Sequence, residues 1–342
     1  MNIRHLITDD LEIEVFERIS KYMTDEFIHT FQKTDSEPSS VGTADVLHAH
    51  SWMATGTCAA ELSARLKIPY VVTLSQNDIK AYGRVPFFKK KNACSILENA
   101  SKVIFANPSQ QNFIAGSLPS DIANRIFEHG VLLIEPVRDF WIKNIRIHPP
   151  TALVHIKLLY VGELDEDSQI TTILNAVDKL KKKNYQVSFT AVETESNTSN
   201  FRGKVLALSS KRDDFQVVTL FGDTTEDYQK LLDIYRDSDI MLLLNRNSVT
   251  IERFAEASTQ GLPVIHARES AFSEILSDKL TEFEVSHNNA SEIADTILRI
   301  SDSFATIEQH LSNFHPFLMF DARETAYRYQ HLYDNVCIKQ QQ

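Results

Sequence analysis

The chain has 342 residues, 43% hydrophobic and 24% charged, which suits a globular protein too long for one core and predicts two domains. A formal net charge of −11 argues against nucleic acid as a main partner, and no apolar run approaches the ~20 residues that span a bilayer, so no transmembrane segment is expected. Three widely spaced cysteines, Cys58, Cys94 and Cys337, make no metal-ligand pattern and cannot all pair; with no signal-peptide pattern at the N-terminus, this predicts a reducing, cytoplasmic setting.

Residues 2–7 are a candidate first strand, and residues 10–23 carry Leu11, Val15, Phe16, Ile19 and Tyr22 at helical spacing. Residues 34–43 are polar and rich in turn formers. Strands are then expected at 44–49, 69–74 and 102–106, with a last one held within 126–133, and helices at 55–66, 92–100 and 109–115. The stretch 137–152, with Pro149-Pro150, breaks the rhythm and is read as a linker. Beyond it the alternation restarts, with strands at 154–160, 187–192, 215–220, 240–244 and 264–267 and one near Phe283. Helices are predicted at 170–182, 201–211, 227–236, 251–259, 290–303, 307–312 and 319–336. Alternating buried strands and amphipathic helices predict α/β domains with parallel sheets. The expected division is 1–150, 151–318, and a last helical segment 319–342.

The clearest stretch is Asp237–Ile275, read as strand, polar loop, helix, turn, strand and helix. Ligands of open parallel sheets sit outside the carboxyl ends of strands, which directs attention to the loop after Leu244. Elsewhere each candidate has a plain structural alternative. His50 ends a strand and either contacts a ligand or bonds a loop, whereas His48 is read as packing. Asn77 and Asp78 suit sugar hydroxyls and suit an Asx turn or helix cap equally. Lys89-Lys90-Lys91 after Phe87-Phe88 is either a solvated loop or a peripheral contact with an anionic membrane.

Several segments together resemble the family-four retaining glycosyltransferases. Asp45-Val46-Leu47-His48-Ala49-His50, Ile68-Pro69-Tyr70-Val71-Val72-Thr73-Leu74, Ala100-Ser101-Lys102-Val103-Ile104 and His129-Gly130-Val131 look like that family's N-terminal domain. Leu159-Tyr160-Val161-Gly162-Glu163-Leu164, Phe221-Gly222-Asp223, Asp237-Ser238-Asp239-Ile240, the run from Glu256 to Val264, and Ser273-Glu274-Ile275 look like its C-terminal domain. The resemblance implies the GT-B architecture, two Rossmann-like domains facing across a cleft, with the last helix returning to the first domain. It also implies a nucleotide-sugar donor held mainly by the C-terminal domain, no metal and no cofactor.

The chain departs from the family where charge matters. A diphosphate leaving group needs fixed cations or aimed N–H groups. Where the family has an arginine and then a lysine, this chain has Glu163 and Ser168. A like charge at ~4 Å and an effective dielectric of ~20 costs on the order of 4 kcal/mol before screening. Glu256 matches the second of two family glutamates, the one that bonds ribose in relatives, but the first falls on Ser248. A family histidine near the sugar falls on Ser75. Only 9 glycines occur, against roughly 24 at average usage, and the first strand is followed by Thr8-Asp9-Asp10 rather than a glycine-rich turn.

The resemblance therefore implies donor contacts at Arg246, Ser248, Thr250, Glu256, Ser168 and Glu163, and acceptor-side residues His50, Ser75, Asn77 and Asp78. Transfer to a glycan, lipid-linked or protein acceptor is one reading. A catalytically silent subunit that holds an acceptor or partners an active glycosyltransferase is the second, and a different Rossmann-like enzyme such as a sugar-nucleotide epimerase is the third.

Overall fold

The computed structural model describes residues 1–8, 10–33, 44–146, 153–194, 200–220, 224–245, 251–268, 282–314 and 320–338. The chain forms two compact units, Met1–Pro136 together with Met319–Gln342, and Val137–Leu318.

In the first unit six parallel strands, β1 (Asn2–Ile7), β2 (Ile28–Lys33), β3 (Val46–Ala49), β4 (Tyr70–Leu74), β5 (Lys102–Phe105) and β6 (Gly130–Leu132), lie in the order β2-β1-β3-β4-β5-β6. Period-2 alternation assigns each central strand two apolar faces. Leu6, Leu47, Ala49, Val72, Leu74, Val103 and Phe105 meet residues of α2 (Gly56–Leu66), α4 (Phe87–Asn99), α5 (Pro108–Ser117) and α6 (Ser120–Glu128). On the other face Ile3, Val46, Val71 and Ile104 meet Phe16 and Ile19 of α1 (Asp10–Ser20) and Ala326, Tyr329, Leu332, Tyr333 and Val336 of the C-terminal helix, Ala322–Ile338.

In the second unit β7 (Ile156–Gly162), β8 (Val187–Glu193), β9 (Phe215–Thr219), β10 (Ile240–Leu243), β11 (Val264–Ala267) and β12 (Glu282–Val285) form a parallel sheet ordered β12-β11-β10-β7-β8-β9. Read from β9, this is the Rossmann order 3-2-1-4-5-6, which reverses between β7 and β10. The helices are α7 (Asp139–Lys143), α8 (Ile170–Lys182), α9 (Asn200–Ser209), α10 (Thr225–Arg236), α11 (Ile251–Thr259), α12 (Ala290–Asp302) and α13 (Phe304–Phe314). α8 buries Ile170, Ile173, Leu174, Val177 and Leu180, a helical stripe against the sheet. Gly261 takes φ 67°, the left-handed position that stops α11.

The structure departs from the sequence reading in four places. β2, with Ile28 and Thr30 turned out to solvent, is an edge strand without the apolar run that marks a buried one. α3 (Gln76–Gly83) is an additional helix. α6 (Ser120–Glu128) is likewise additional, and the last strand expected within 126–133 is β6, Gly130–Leu132. The expected linker contains α7, whose Trp141 is fully buried and meets Tyr235 edge-on at 5.2 Å.

Candidate functional site

The reversal between β7 and β10 is where an open sheet of this kind receives a ligand, and the residues there are acidic. β7 ends at Gly162 and is followed by Glu163, Asp165, Glu166 and Asp167. The Tyr160 hydroxyl reaches over Gly162, donates to the Glu163 carbonyl at 2.7 Å and receives the Asn245 amide at 3.4 Å. A Cβ on Gly162 would stand 2.8 Å from that hydroxyl, so glycine makes room for the tyrosine rather than for a phosphate. Burial raises the Asp165 carboxyl above its ordinary range, the Ser168 N–H draws it back, and the neighbouring Glu163 and Asp167 push it up again.

Ser168 closes the short turn Glu166–Ser168 and is fully buried. Its N–H donates to Asp165 Oδ1 at 2.9 Å and its hydroxyl to the Asp165 carbonyl at 2.5 Å. It therefore serves the turn. Next along the sheet edge, Glu193 at the end of β8 has no exposed side-chain surface and accepts Arg202 Nη2 at 2.9 Å and the Thr219 hydroxyl at 3.2 Å. Arg246, Ser248 and Thr250 lie outside the described residues, as do Phe221-Gly222-Asp223 and Ser273-Glu274-Ile275 of the family-like segments.

Glu256 sits in the middle of α11 with no exposed surface. Both its oxygens lie 2.8 Å from Arg253 Nη1, and Oε2 accepts the Tyr235 hydroxyl at 2.9 Å. Arg253 is one helical turn earlier, and Tyr235 comes from α10. Burial raises the Glu256 carboxyl, and the Arg253 guanidinium pulls it part of the way back. Glu252, in the first turn of α11, is half exposed and 3.8 Å from Arg138 Nε. Sequence reasoning missed Tyr235 and Arg253, because nothing in the spacing of α10 and α11 announces that they share a carboxylate.

In the first unit, Asp78 is the third residue of α3 and is 1% exposed. Its carboxylate accepts the Ser51 hydroxyl at 2.5 Å, the N–H groups of Trp52 at 3.0 Å, Met53 at 2.8 Å and Ser75 at 2.7 Å, and the Ser75 hydroxyl at 2.9 Å. Ser75 in return accepts the Asp78 N–H at 3.3 Å, completing a capping box. Asp78 thus ties the loop after β3 to the start of α3. Asn77, beside it, is exposed.

His50 belongs to a cluster of four imidazoles at the strand reversal between β1 and β3. His5 Nδ1 lies 2.8 Å from His50 Nε2, and His5 Nε2 lies 2.9 Å from His29 Nδ1. A neutral imidazole has one N–H and one lone pair, so His5 donates at one end of this chain and accepts at the other. His48 pairs with His5 across the β1/β3 register, and its ring stacks on His50 with centroids 4.1 Å apart. Its nitrogens meet the Tyr333 hydroxyl at 2.7 Å and the Thr73 hydroxyl at 2.8 Å. Burial holds His50 down at about 3 and His29 at about 4. It also lowers His5 and His48 well below the ordinary range, with the neighbouring imidazoles adding to the shift. His-X-His at the end of one strand was visible in the sequence; His5 and His29 were not singled out there.

The architecture defines the chain as a GT-B protein. A Rickettsia africae glycosyltransferase structure matches with a TM-score of 0.69 at 14% identity, covering 98% of each chain. Anabaena HepE in complex with UDP matches at 0.69 and 13%, covering 97% of this chain and 99% of that one. A sucrose-phosphate synthase from Thermosynechococcus elongatus matches at 0.67 and 13%, covering 98% of each. No curated protein sequence matches the chain. Residues 155–303 match the family model described as glycosyl transferases group 1.

Proposed function

We propose that the protein transfers a sugar from a nucleotide-sugar donor to a glycan, lipid-linked or protein acceptor, with retention of configuration and without a metal at the transfer site. The observation that carries this reading is the match of residues 155–303 to the group 1 glycosyltransferases, on a sheet whose order reverses between β7 and β10. Arg246, Ser248 and Thr250, just before α11, are assigned the donor contacts, with the N-terminus of that helix favouring the phosphates. Ser168 and Glu256 are assigned positioning roles, since their polar atoms already have partners, and Glu163 stands beside the donor as a repulsive neighbour. On the first unit His50, Ser75 and Asn77 face the acceptor, and Asp78 holds the loop beneath them. The exposed Phe87 and Phe88, followed by Lys89-Lys90-Lys91, are assigned a peripheral contact with an anionic membrane carrying a lipid-linked acceptor. Because HepE was crystallised with UDP-glucose, UDP and its sugars head the donor panel. Calorimetric binding of a nucleoside diphosphate or its sugar supports the proposal, and no heat at millimolar ligand refutes it.

One observation favours a second reading, a silent subunit that partners an active glycosyltransferase. Four carboxylates, Glu163, Asp165, Glu166 and Asp167, follow the strand where the family has an arginine and a lysine. Activity that appears only when a copurified enzyme is added supports this reading, and sugar transfer by the isolated chain eliminates it.

A further inference from the structure

We propose that His5, His48 and His50 bind a divalent transition-metal ion of the zinc class in the first unit, a site that shares His50 with the acceptor side and uses none of the donor contacts. The three residues come from two adjacent strands. His48 is on β3 and His50 directly follows that strand, its N–H still bonded to the Leu6 carbonyl of β1, and His5 is the register partner of His48 on β1. One ligand atom from each lies within 4.8 Å of the other two. Ligand nitrogens about 2.0–2.1 Å from a tetrahedral ion stand roughly 3.3 Å apart. The His5–His50 pair must therefore open from 2.8 Å by about half an ångström, and His48 must turn in.

The surroundings match what a ligating imidazole requires. The second nitrogen of such a ring is normally held by an outer partner that fixes the tautomer. In the tautomer with its proton on Nε2, His5 donates to His29 Nδ1, 2.9 Å away, and its Nδ1 lone pair is free for the ion. The Tyr333 and Thr73 hydroxyls each meet one nitrogen of His48, so whichever nitrogen turns to the ion, the other keeps a partner. His29, which meets His5 through Nδ1, has its Nε2 buried with no hydrogen-bond partner among the described residues. Phe16, Phe31 and Tyr329 pack around the rings. An imidazole-only donor set suits zinc, copper, nickel or cobalt rather than magnesium or calcium, which take oxygen ligands.

The site has an entrance. His5 and His48 are fully buried, whereas His50 at the carboxyl end of β3 keeps solvent contact. An ion held by three neutral rings retains its double charge, and a water or hydroxide in the fourth position on the His50 side offsets part of it. When the ion binds, the proton shared between His5 Nδ1 and His50 Nε2 moves to His50 Nδ1, so both ligating nitrogens present lone pairs and no proton need leave the protein.

The test uses the full chain with any affinity tag removed, stripped with a chelator and titrated with cobalt(II), then zinc(II). The expected result is one ion per chain, visible d–d absorption for cobalt, and its displacement by zinc. His50→Ala and His5→Phe should each weaken binding at least tenfold, while His331→Ala, on the exposed side of the C-terminal helix, should not. Circular dichroism checks folding. His50→Cys supplies a readout that misfolding cannot imitate: it should keep cobalt and add a thiolate charge-transfer band. No cobalt bound at millimolar ion, or binding untouched by His50→Ala and His5→Phe, overturns the proposal.

Discussion

Replacing Arg253 by Met asks whether Glu256 is a packing group or a ligand contact. The carboxylate has no exposed side-chain surface and the Arg253 side chain 16%, with both carboxylate oxygens 2.8 Å from one guanidinium nitrogen. Removing the cation leaves a buried charge whose remaining hydrogen-bond partner among the described residues is the Tyr235 hydroxyl. Breaking a buried pair from one side costs about 3–5 kcal/mol. Tyr235→Phe removes one hydrogen bond to a charged acceptor and should cost about 1.5–3 kcal/mol. Exchanging both partners for apolar residues, Arg253→Met with Glu256→Met, should recover most of the single-mutant loss, because the desolvated charge goes too.

The two tryptophans, Trp52 in the first unit and Trp141 in the second, make this measurable. In a Trp52→Phe background, urea unfolding followed by emission reports on Trp141, which lies against Tyr235. If Arg253→Met costs no more than the ~1 kcal/mol of an exposed ion pair, the carboxylate is solvated and the packing role fails. A nucleotide affinity that falls tenfold in Tyr235→Phe with stability unchanged would instead make Glu256 a ligand contact.

Three further outcomes are expected. Acid should destabilise the metal-free first unit: His50 and His29 have folded pKa values depressed to about 3 and about 4 from 6.5, so the unfolded chain binds the extra protons. Stability is then full above pH 6.5 and falls with decreasing pH, His50 alone giving about 2 kcal/mol between pH 8 and 5; an unfolding midpoint flat over that range, or a slope unchanged in His50→Gln, refutes this. Asp78→Ala should cost the first unit at least about 3 kcal/mol, read from Trp52 emission, since it strands donors from Ser51, Trp52, Met53 and Ser75; a loss under ~1 kcal/mol refutes the anchoring role. Glu163→Arg should tighten nucleoside diphosphate binding about tenfold by calorimetry, a difference of ~1.4 kcal/mol, and an unchanged affinity places Glu163 away from the phosphates.

Much of the fold was readable in the sequence, for a physical reason. β7, β10 and β11 are short runs of buried aliphatics bounded by turn formers, and α8 carries an unbroken helical stripe. β2 was invisible because an edge strand needs no apolar run. β6 was placed only loosely within 126–133, because Ile126, Val131, Leu132 and Leu133 read as one apolar segment until Gly130 is recognised as the break. In the site, the carboxylates after β7 were legible as charge. The pairing of Glu256 with Tyr235 was not, because it joins side chains from two helices 21 residues apart in sequence. The imidazole cluster was half legible: His48 and His50 are two positions apart at the end of β3, but His5 joins them only through the β1/β3 register and His29 through β2.

These two crevices show where a fold of this kind tolerates change. Interiors of buried strands answer to both sheet faces at once, so a polar substitution there costs burial and packing together. The carboxyl ends of the strands answer only to what they bind and to local caps. In the second unit the end of β7 carries carboxylates, and Ser168 and Tyr160 are absorbed into its own turn. In the first, the end of β3 meets imidazoles that no carboxylate hydrogen-bonds among the described residues. An acidic crevice disfavours a diphosphate while a neutral nitrogen-lined one favours a soft cation, so the two ends predict opposite ligand charge. Parallel titrations with nucleoside diphosphate and with cobalt(II) on one preparation therefore separate them. Cobalt binding without nucleotide binding would place this chain's ligand chemistry in the first unit and favour the silent-subunit reading. Nucleotide binding would require Arg246, the one cation in 246–250, to outweigh Glu163 and Asp165, and Arg246→Ala should then abolish it.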